Sequence, residues 1–290
     1  MKVTFASHGN TLTGNLFLPD GDTPAPGIVV AGTWTSVKEL MADRYAERLA
    51  ERGYAALSFD FTGYGESGGE PRDVESPEQK VRDIHNAVTF LADHPAVDAD
   101  RLGVLGVCAA AMYMSANAVD DPRIGSLALV APWIHDAAVC REVYGGEEGV
   151  AAKLDEAARA RARYEATGEV DYVPVVSGTH PRAAMPYDID FYLNPQRGGI
   201  PEWPNRFAVM AWTDWLTYDA IALAPKIDRP VLLVHSEDAA IPHAARLFHD
   251  ELSGPAQFIW TPGTQFDFYD QEPNVTIATD AAAAHFAATL

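Results

Sequence analysis

Short apolar runs recur along this chain at a spacing that alternates with helical periodicity. Lys2–Ser7 and Thr11–Leu18 read as two strands joined by the turn residues His8, Gly9 and Asn10. After the breakers Pro24, Pro26 and Gly27, Ile28–Ala31 is continuously apolar, the pattern of a strand covered on both faces. Lys38–Arg52 mixes apolar and charged residues at helical spacing and ends at Gly53. Tyr54–Phe59 is the next buried strand. Ser76 and Pro77 then open a helix to about His94, as N-cap and first helical residue. Arg101–Leu105 reads as a strand, Ala109–Val119 as a helix, and Ser126–Ala131 as a strand. The same rhythm returns at Val231–His235, a helix from about Pro242 to Leu252, a strand at Gln257–Thr261 and a final Ala-rich helix from about Asn274 to Leu290.

Such alternation specifies βαβ units and therefore a mostly parallel sheet, here of eight strands, with helices on both faces. It stops between Ile134 and Lys226. Glu147–Ala166 reads as one long helix, residues 170–205 are rich in Pro, Gly and Tyr, and Asn205–Tyr218 reads as another helix. The expected organisation is a core of residues 1–134 and 226–290 with a cap inserted over residues 135–225. The chain's 290 residues suffice for this.

Acidic residues outnumber basic ones by 41 to 21, for a formal charge of −20, which repels phosphate backbones and argues against nucleic-acid binding. No apolar run reaches the length of a membrane span, and the first ten residues have no apolar leader segment, so a cytoplasmic protein without membrane contact is expected. The two cysteines, Cys108 and Cys140, offer neither a metal-ligand spacing nor a disulfide framework, so no metal is expected. No Gly-rich phosphate loop follows the first parallel strand, so no cofactor is expected. A homodimer is compatible with the sequence, which does not specify one.

Gly106-Val107-Cys108-Ala109-Ala110 joins a strand to a helix through a tight turn with small neighbours. A thiol there stands at a helix N-terminus, where backbone N–H groups and the dipole favour the thiolate. The same pattern also describes a buried cysteine in a packing turn.

This segment, with Ala31–Glu39, Asp60–Gly69, Asn205–Met210, Pro230–Pro242 and Phe266–Asp270, resembles the α/β-hydrolase superfamily. It is similar to a branch that includes dienelactone hydrolases and polyketide-transferase-like proteins, in which cysteine occurs at the nucleophile elbow. The resemblance implies an α/β-hydrolase fold with Cys108 as nucleophile. It also implies an oxyanion hole from the N–H of Ala109 and an N–H of Trp34 or Thr33, and an acid after the seventh strand, Asp238 or secondarily Glu237. The usual catalytic histidine is missing. In Thr264-Gln265-Phe266-Asp267-Phe268-Tyr269-Asp270, Gln265 takes its place, and an amide does not exchange protons near neutral pH.

Three accounts of that loss are open. His135, just past the sheet edge, or His235 or His243, serves as base, with Asp267 and Asp60 as weaker candidates. Alternatively the protein no longer hydrolyses and promotes cyclisation, elimination or isomerisation. A third account is a ligand-binding protein without chemistry. The inserted segment is rich in rings, and Thr33, Trp133, Tyr187, Trp212 and Trp215 are candidate contacts for a small-molecule substrate that is apolar, aromatic or polycyclic, although Phe207, Trp212 and Trp215 also suit a packing face. The leading expectation is hydrolysis or acyl transfer on an activated carbonyl compound, an ester, thioester or polyketide-like molecule.

Overall fold

The computed structural model describes residues 1–290. A hairpin opens it: β1 (Lys2–Ser7) and β2 (Asn10–Phe17) pair antiparallel across His8 and Gly9, both at positive φ, the turn that matches strand twist. The parallel strands follow as β3 (Ala25–Ala31), β4 (Ala55–Phe59), β5 (Val97–Val107), β6 (Ile124–Val130), β9 (Val231–His235) and β10 (Ala256–Trp260). The eight form one sheet in the order β1-β2-β4-β3-β5-β6-β9-β10, with β2 also antiparallel to β4. Helices α1 (Ala42–Ala50), α2 (Pro77–Ala92), α3 (Ala110–Asp120), α8 (Pro242–Glu251) and α10 (Asn274–Thr289) flank it, and a short α9 spans Asp267–Asp270. The continuously apolar runs became the central strands because each is covered by helices on two sides. Every residue of β4 and β9 is buried, whereas β10 at the sheet edge is half open.

Local chemistry sets the helix ends. Ser76 caps α2 through its hydroxyl, which accepts from the Gln79 N–H, and Pro77 follows in the first helical position. The helix read over Lys38–Arg52 is broken: Lys38–Leu40 is a single 3₁₀ turn, Met41 leaves helical geometry at φ −155°, and α1 begins at Ala42.

Between β6 and β9 the chain leaves the sheet. It forms α4 (Ala137–Val143), the long α5 (Gly146–Thr167), β7 (Tyr172–Val173), α6 (Asp190–Leu193), β8 (Phe207–Ala208) and α7 (Trp212–Leu216). The helix read over Asn205–Tyr218 is therefore only its last part. Phe207 and Ala208 pair with Val173 and Tyr172 as a two-stranded ribbon, and Val209–Ala211 is a 3₁₀ turn. The aromatic spacing that suggests a helix is satisfied by a bend that turns Phe207 and Trp212 onto each other, ring centroids 4.8 Å apart. The segment is fastened to loops at the carboxyl ends of the strands. Arg197 holds Asp270 with contacts of 2.6 and 2.8 Å, Arg206 holds Asp73, and the Trp203 indole donates to the Thr35 carbonyl at 2.8 Å. No helix is long and apolar enough to cross a membrane.

Candidate active site

Strand β5 ends at Val107, and the chain turns into α3 through Cys108, whose φ is +56°. A non-glycine residue in this left-handed conformation is strained and must be held by its surroundings. The Cys108 N–H donates to the Val130 carbonyl and the Cys108 carbonyl accepts from Trp133 N–H, both at 3.0 Å, which ties the turn to the end of β6. Gly106 permits the turn: a Cβ there would stand 2.8 Å from the Ala110 carbonyl carbon and the Ala111 nitrogen.

The Cys108 sulfur is buried but reaches one wall of a cavity of about 710 Å³. Burial pushes its thiol above the ordinary value. The Thr33 and Tyr269 hydroxyls and the N–H groups of Ala109 and Trp34 act against that, in favour of the thiolate. The lowering expected from the helix N-terminus is thus outweighed by desolvation, and the thiol is neutral near pH 7. The two N–H groups named from the sequence, on Ala109 and Trp34, both face the sulfur.

Gln265 is buried beside this group and fully committed. Its Oε1 accepts from Ala240 N–H at 3.0 Å, and its Nε2 donates to the Ala131 carbonyl at 2.9 Å and to the Tyr269 hydroxyl at 3.1 Å. The Tyr269 oxygen also lies 3.4 Å from Thr33 Oγ1, which accepts from Tyr192 at the same distance. A chain of polar contacts therefore runs from the acid loop through Gln265 to Tyr269 and Thr33, whose hydroxyls stand beside the thiol at the cavity wall. Tyr269 and Tyr192 are the contacts that sequence reasoning misses. The available signal is spacing, since Tyr269 stands four residues after Gln265 on the turn that becomes α9.

The histidines lie elsewhere. His135 is buried, accepts from Trp133 Nε1 at Nδ1 and donates from Nε2 to the Trp215 carbonyl, both at 2.9 Å, with its ring edge-on to Trp215. Burial lowers it to about 4, so it is neutral with both nitrogens spent, and it does not reach the cavity. His235 is likewise buried and lowered to about 4, against Trp260. His243 pairs with Glu142 on the surface at 3.2 Å. A hydroxyl–imidazole pair does exist, Ser126 with His285 at 2.9 Å, but Ser126 is buried at the amino end of β6, away from the elbow.

Among the candidate acids, Asp238 lines the cavity rim but is exposed, and its side chain does not bond Gln265, which takes the Ala240 N–H instead. Asp60 is buried against Lys38, and Asp267 accepts from the N–H and hydroxyl of Thr264. The carboxylates of Glu39, Asp60 and Glu66 converge, but the Lys38 ammonium stands among them at 2.5, 2.8 and 2.9 Å and supplies their positive charge.

Thr33, Trp133, Tyr187 and Trp215 line the cavity. Trp212 does not. It packs against Phe207, Tyr144 and Trp34, and the Lys153 ammonium sits 4.3 Å above its ring. Lys153 is the one lysine on a wall that is otherwise mostly apolar.

Comparisons with known proteins agree with this architecture. Residues 16–278 match the model of the alpha/beta hydrolase family. An uncharacterized protein of Pseudomonas aeruginosa, PA2218, is 32% identical over 286 residues, covering 93% of this chain and 76% of that protein. The crystal structure of that protein superimposes with a TM-score of 0.89, covering 100% of this chain and 93% of the other at 28% identity. The thiohydrolase aneE of Aspergillus aculeatus is 35% identical over 126 residues, 43% of this chain and 39% of its own. The polyketide transferase grgF of a Penicillium species is 26% identical over 232 residues, 79% and 75% of the two chains. With the match running from the end of β2 into α10, and with the elbow, the flanking N–H groups and the strand order in place, this chain belongs to the alpha/beta hydrolase family.

Proposed function

We propose that this protein is an acyl-transfer enzyme acting on thioesters or comparably activated carbonyl compounds of polyketide type, with Cys108 as nucleophile. The observation that carries the reading is a sulfur at the wall of the cavity, held at a strained turn beside the hydroxyls of Thr33 and Tyr269. The residues inserted between β6 and β9 act as a cap, and their apolar wall suits an acyl chain or ring system. The names borne by the relatives aneE and grgF point to the same chemistry.

The residues support one sequence of events. The substrate carbonyl enters between the N–H groups of Ala109 and Trp34, which receive the negative charge as the sulfur attacks. Tyr269 accepts a hydrogen bond from Gln265, and its hydroxyl, which favours the thiolate at rest, turns from the sulfur to the leaving group during the reaction. It accepts the thiol proton while passing its own to the departing thiolate. The S–C bond to Cys108 forms, the S–C bond to the leaving group breaks, and no net charge remains. A leaving thiol of ordinary basicity departs at least as readily as Cys108, whose thiol burial raises, so this exchange needs no group titrating near neutrality. The acyl group then passes to an acceptor by the same route in reverse.

A non-hydrolytic variant, in which the acceptor is a nucleophile within the substrate and the product is cyclic, is favoured by one observation. No imidazole reaches the sulfur to activate water.

The test is incubation with an acyl N-acetylcysteamine thioester and with a p-nitrophenyl ester, followed by intact-mass and peptide-mass measurement. An acyl adduct on Cys108, lost in Cys108→Ala together with thioester turnover, is expected. Undiminished turnover by Cys108→Ala rejects the nucleophile assignment. Gln265→His is expected to raise ester hydrolysis above the rate of the parent protein.

A further inference from the structure

Beneath the oxyanion donors lies a buried ion pair that neither the family resemblance nor the mechanism above uses. Glu75 is fully buried just before α2. Its Oε2 accepts from the Thr35 N–H at 2.8 Å and from the Tyr64 hydroxyl at 3.2 Å, and its Oε1 accepts from the Tyr113 hydroxyl at 2.6 Å. The Lys80 ammonium, also buried, stands 2.8 Å from both oxygens with the rings of Phe61, Tyr64 and Tyr113 around it at 4.7 to 5.4 Å.

Two of those partners matter for the site. Thr35 directly follows Trp34 and has φ +52°, a conformation that a β-branched residue avoids unless its surroundings impose it. Its N–H is held by Glu75 and its carbonyl by Trp203. Tyr113 lies in the first turn of α3, the helix whose start presents the Ala109 N–H. One carboxylate thus ties together the two backbone segments that carry the two N–H groups at the Cys108 sulfur. A buried pair is a poor source of stability, because desolvation offsets the attraction between the charges. Its geometry suits a different role.

We propose that Glu75, neutralised by Lys80, is a positioning residue that sets the spacing of the Trp34 and Ala109 N–H groups through Thr35 and Tyr113. This rests on the oxyanion role assigned to those groups above. Glu75 does not touch substrate, so its loss changes kcat far more than KM.

The experiment compares the full-length protein with Glu75→Gln, with Glu75→Gln/Lys80→Met and with each of these carrying Thr35→Gly, by steady-state turnover of the N-acetylcysteamine thioester and by thermal melting. The double variant leaves no unpaired buried charge and keeps the test open where the single one does not fold. Displacing rather than deleting an oxyanion donor is expected to lower kcat about tenfold to a hundredfold, with KM within about threefold. Thr35→Gly, which adopts positive φ unaided, is expected to restore part of the lost kcat. Folded Glu75 variants with unchanged kcat, or a loss that Thr35→Gly leaves untouched, overturn the proposal. Absence of a Cys108 adduct in the unsubstituted protein overturns the reading beneath it instead, so the two failures are distinguishable.

Discussion

Replacing Tyr269 by phenylalanine removes one oxygen and leaves its neighbours provided for. Gln265 Nε2 keeps the Ala131 carbonyl and Thr33 Oγ1 keeps the Tyr192 hydroxyl, so the stability cost is that of one buried hydrogen bond, about 1 kcal/mol. The kinetic cost is larger. Without the relay the sulfur attacks only as a free thiolate. Taking even the ordinary thiol value of 9.0, the thiolate at pH 7 is about one molecule in a hundred. Burial raises the real value, and losing the Tyr269 donor raises it further, so a hundredfold loss of acylation rate is a lower bound. That agrees with the roughly 10²- to 10⁴-fold usually contributed by a positioned proton-transfer group. The assay is thioester turnover followed by released thiol from pH 6 to 9, with a thermal melt as control. Tyr269→Phe should be at least a hundredfold slower at pH 7, with a rate that climbs about tenfold per pH unit, against a flat profile for the parent. A variant within threefold of the parent at pH 7, with the same profile, refutes the relay.

Gly106→Ala drives a Cβ to 2.8 Å from backbone atoms of Ala110 and Ala111, and backbone cannot yield as a side chain does. A loss of at least about 3 kcal/mol is expected in urea unfolding, together with loss of the Cys108 adduct. His135 and His235 are held near 4 against 6.5 when unfolded, so each contributes stability in full above pH 6.5 that is lost as pH falls toward 4. Going from pH 7 to pH 5 should therefore cost about 2 kcal/mol for each, and His135→Gln, which can keep both hydrogen bonds, should remove about half of that slope. Trp212→Ala empties a core position rather than a cavity wall. It should destabilise by about 3–5 kcal/mol while leaving KM of the folded protein within about threefold.

Much of the sheet was legible because its strands are covered on both sides. Ile28–Ala31, Tyr54–Phe59 and Val231–His235 are almost entirely apolar because both faces are buried, and the breakers and helices between them mark them as strands. The turn at Cys108 was legible for a steric reason, since Gly106 and Ala109 answer to atoms only a few residues away. Tertiary contacts were not. His135 stands at the sheet's active edge, as its place in the chain implies, yet its ring is turned to the Trp215 carbonyl, a residue 80 positions later. The aromatic periodicity of Asn205–Tyr218 matches a helix, but the pairing of Phe207 with Val173 overrides it. Tyr269 meets Thr33 and Cys108 only once the sheet brings the carboxyl ends of β10, β3 and β5 together.

The burial of the sulfur at the cavity wall has a consequence for the protein's chemistry in cells and in the laboratory. Reagents and oxidants that find cysteines by their thiolate, such as iodoacetamide or hydrogen peroxide, meet here a neutral group behind an apolar wall, and Cys140, pushed up to about 12, is no better a target. Both cysteines should persist reduced under oxidative conditions that convert exposed thiols to sulfenic acid. Covalent probes for Cys108 should succeed according to how well their acyl portion fills the cavity, with the intrinsic reactivity of the warhead a secondary matter.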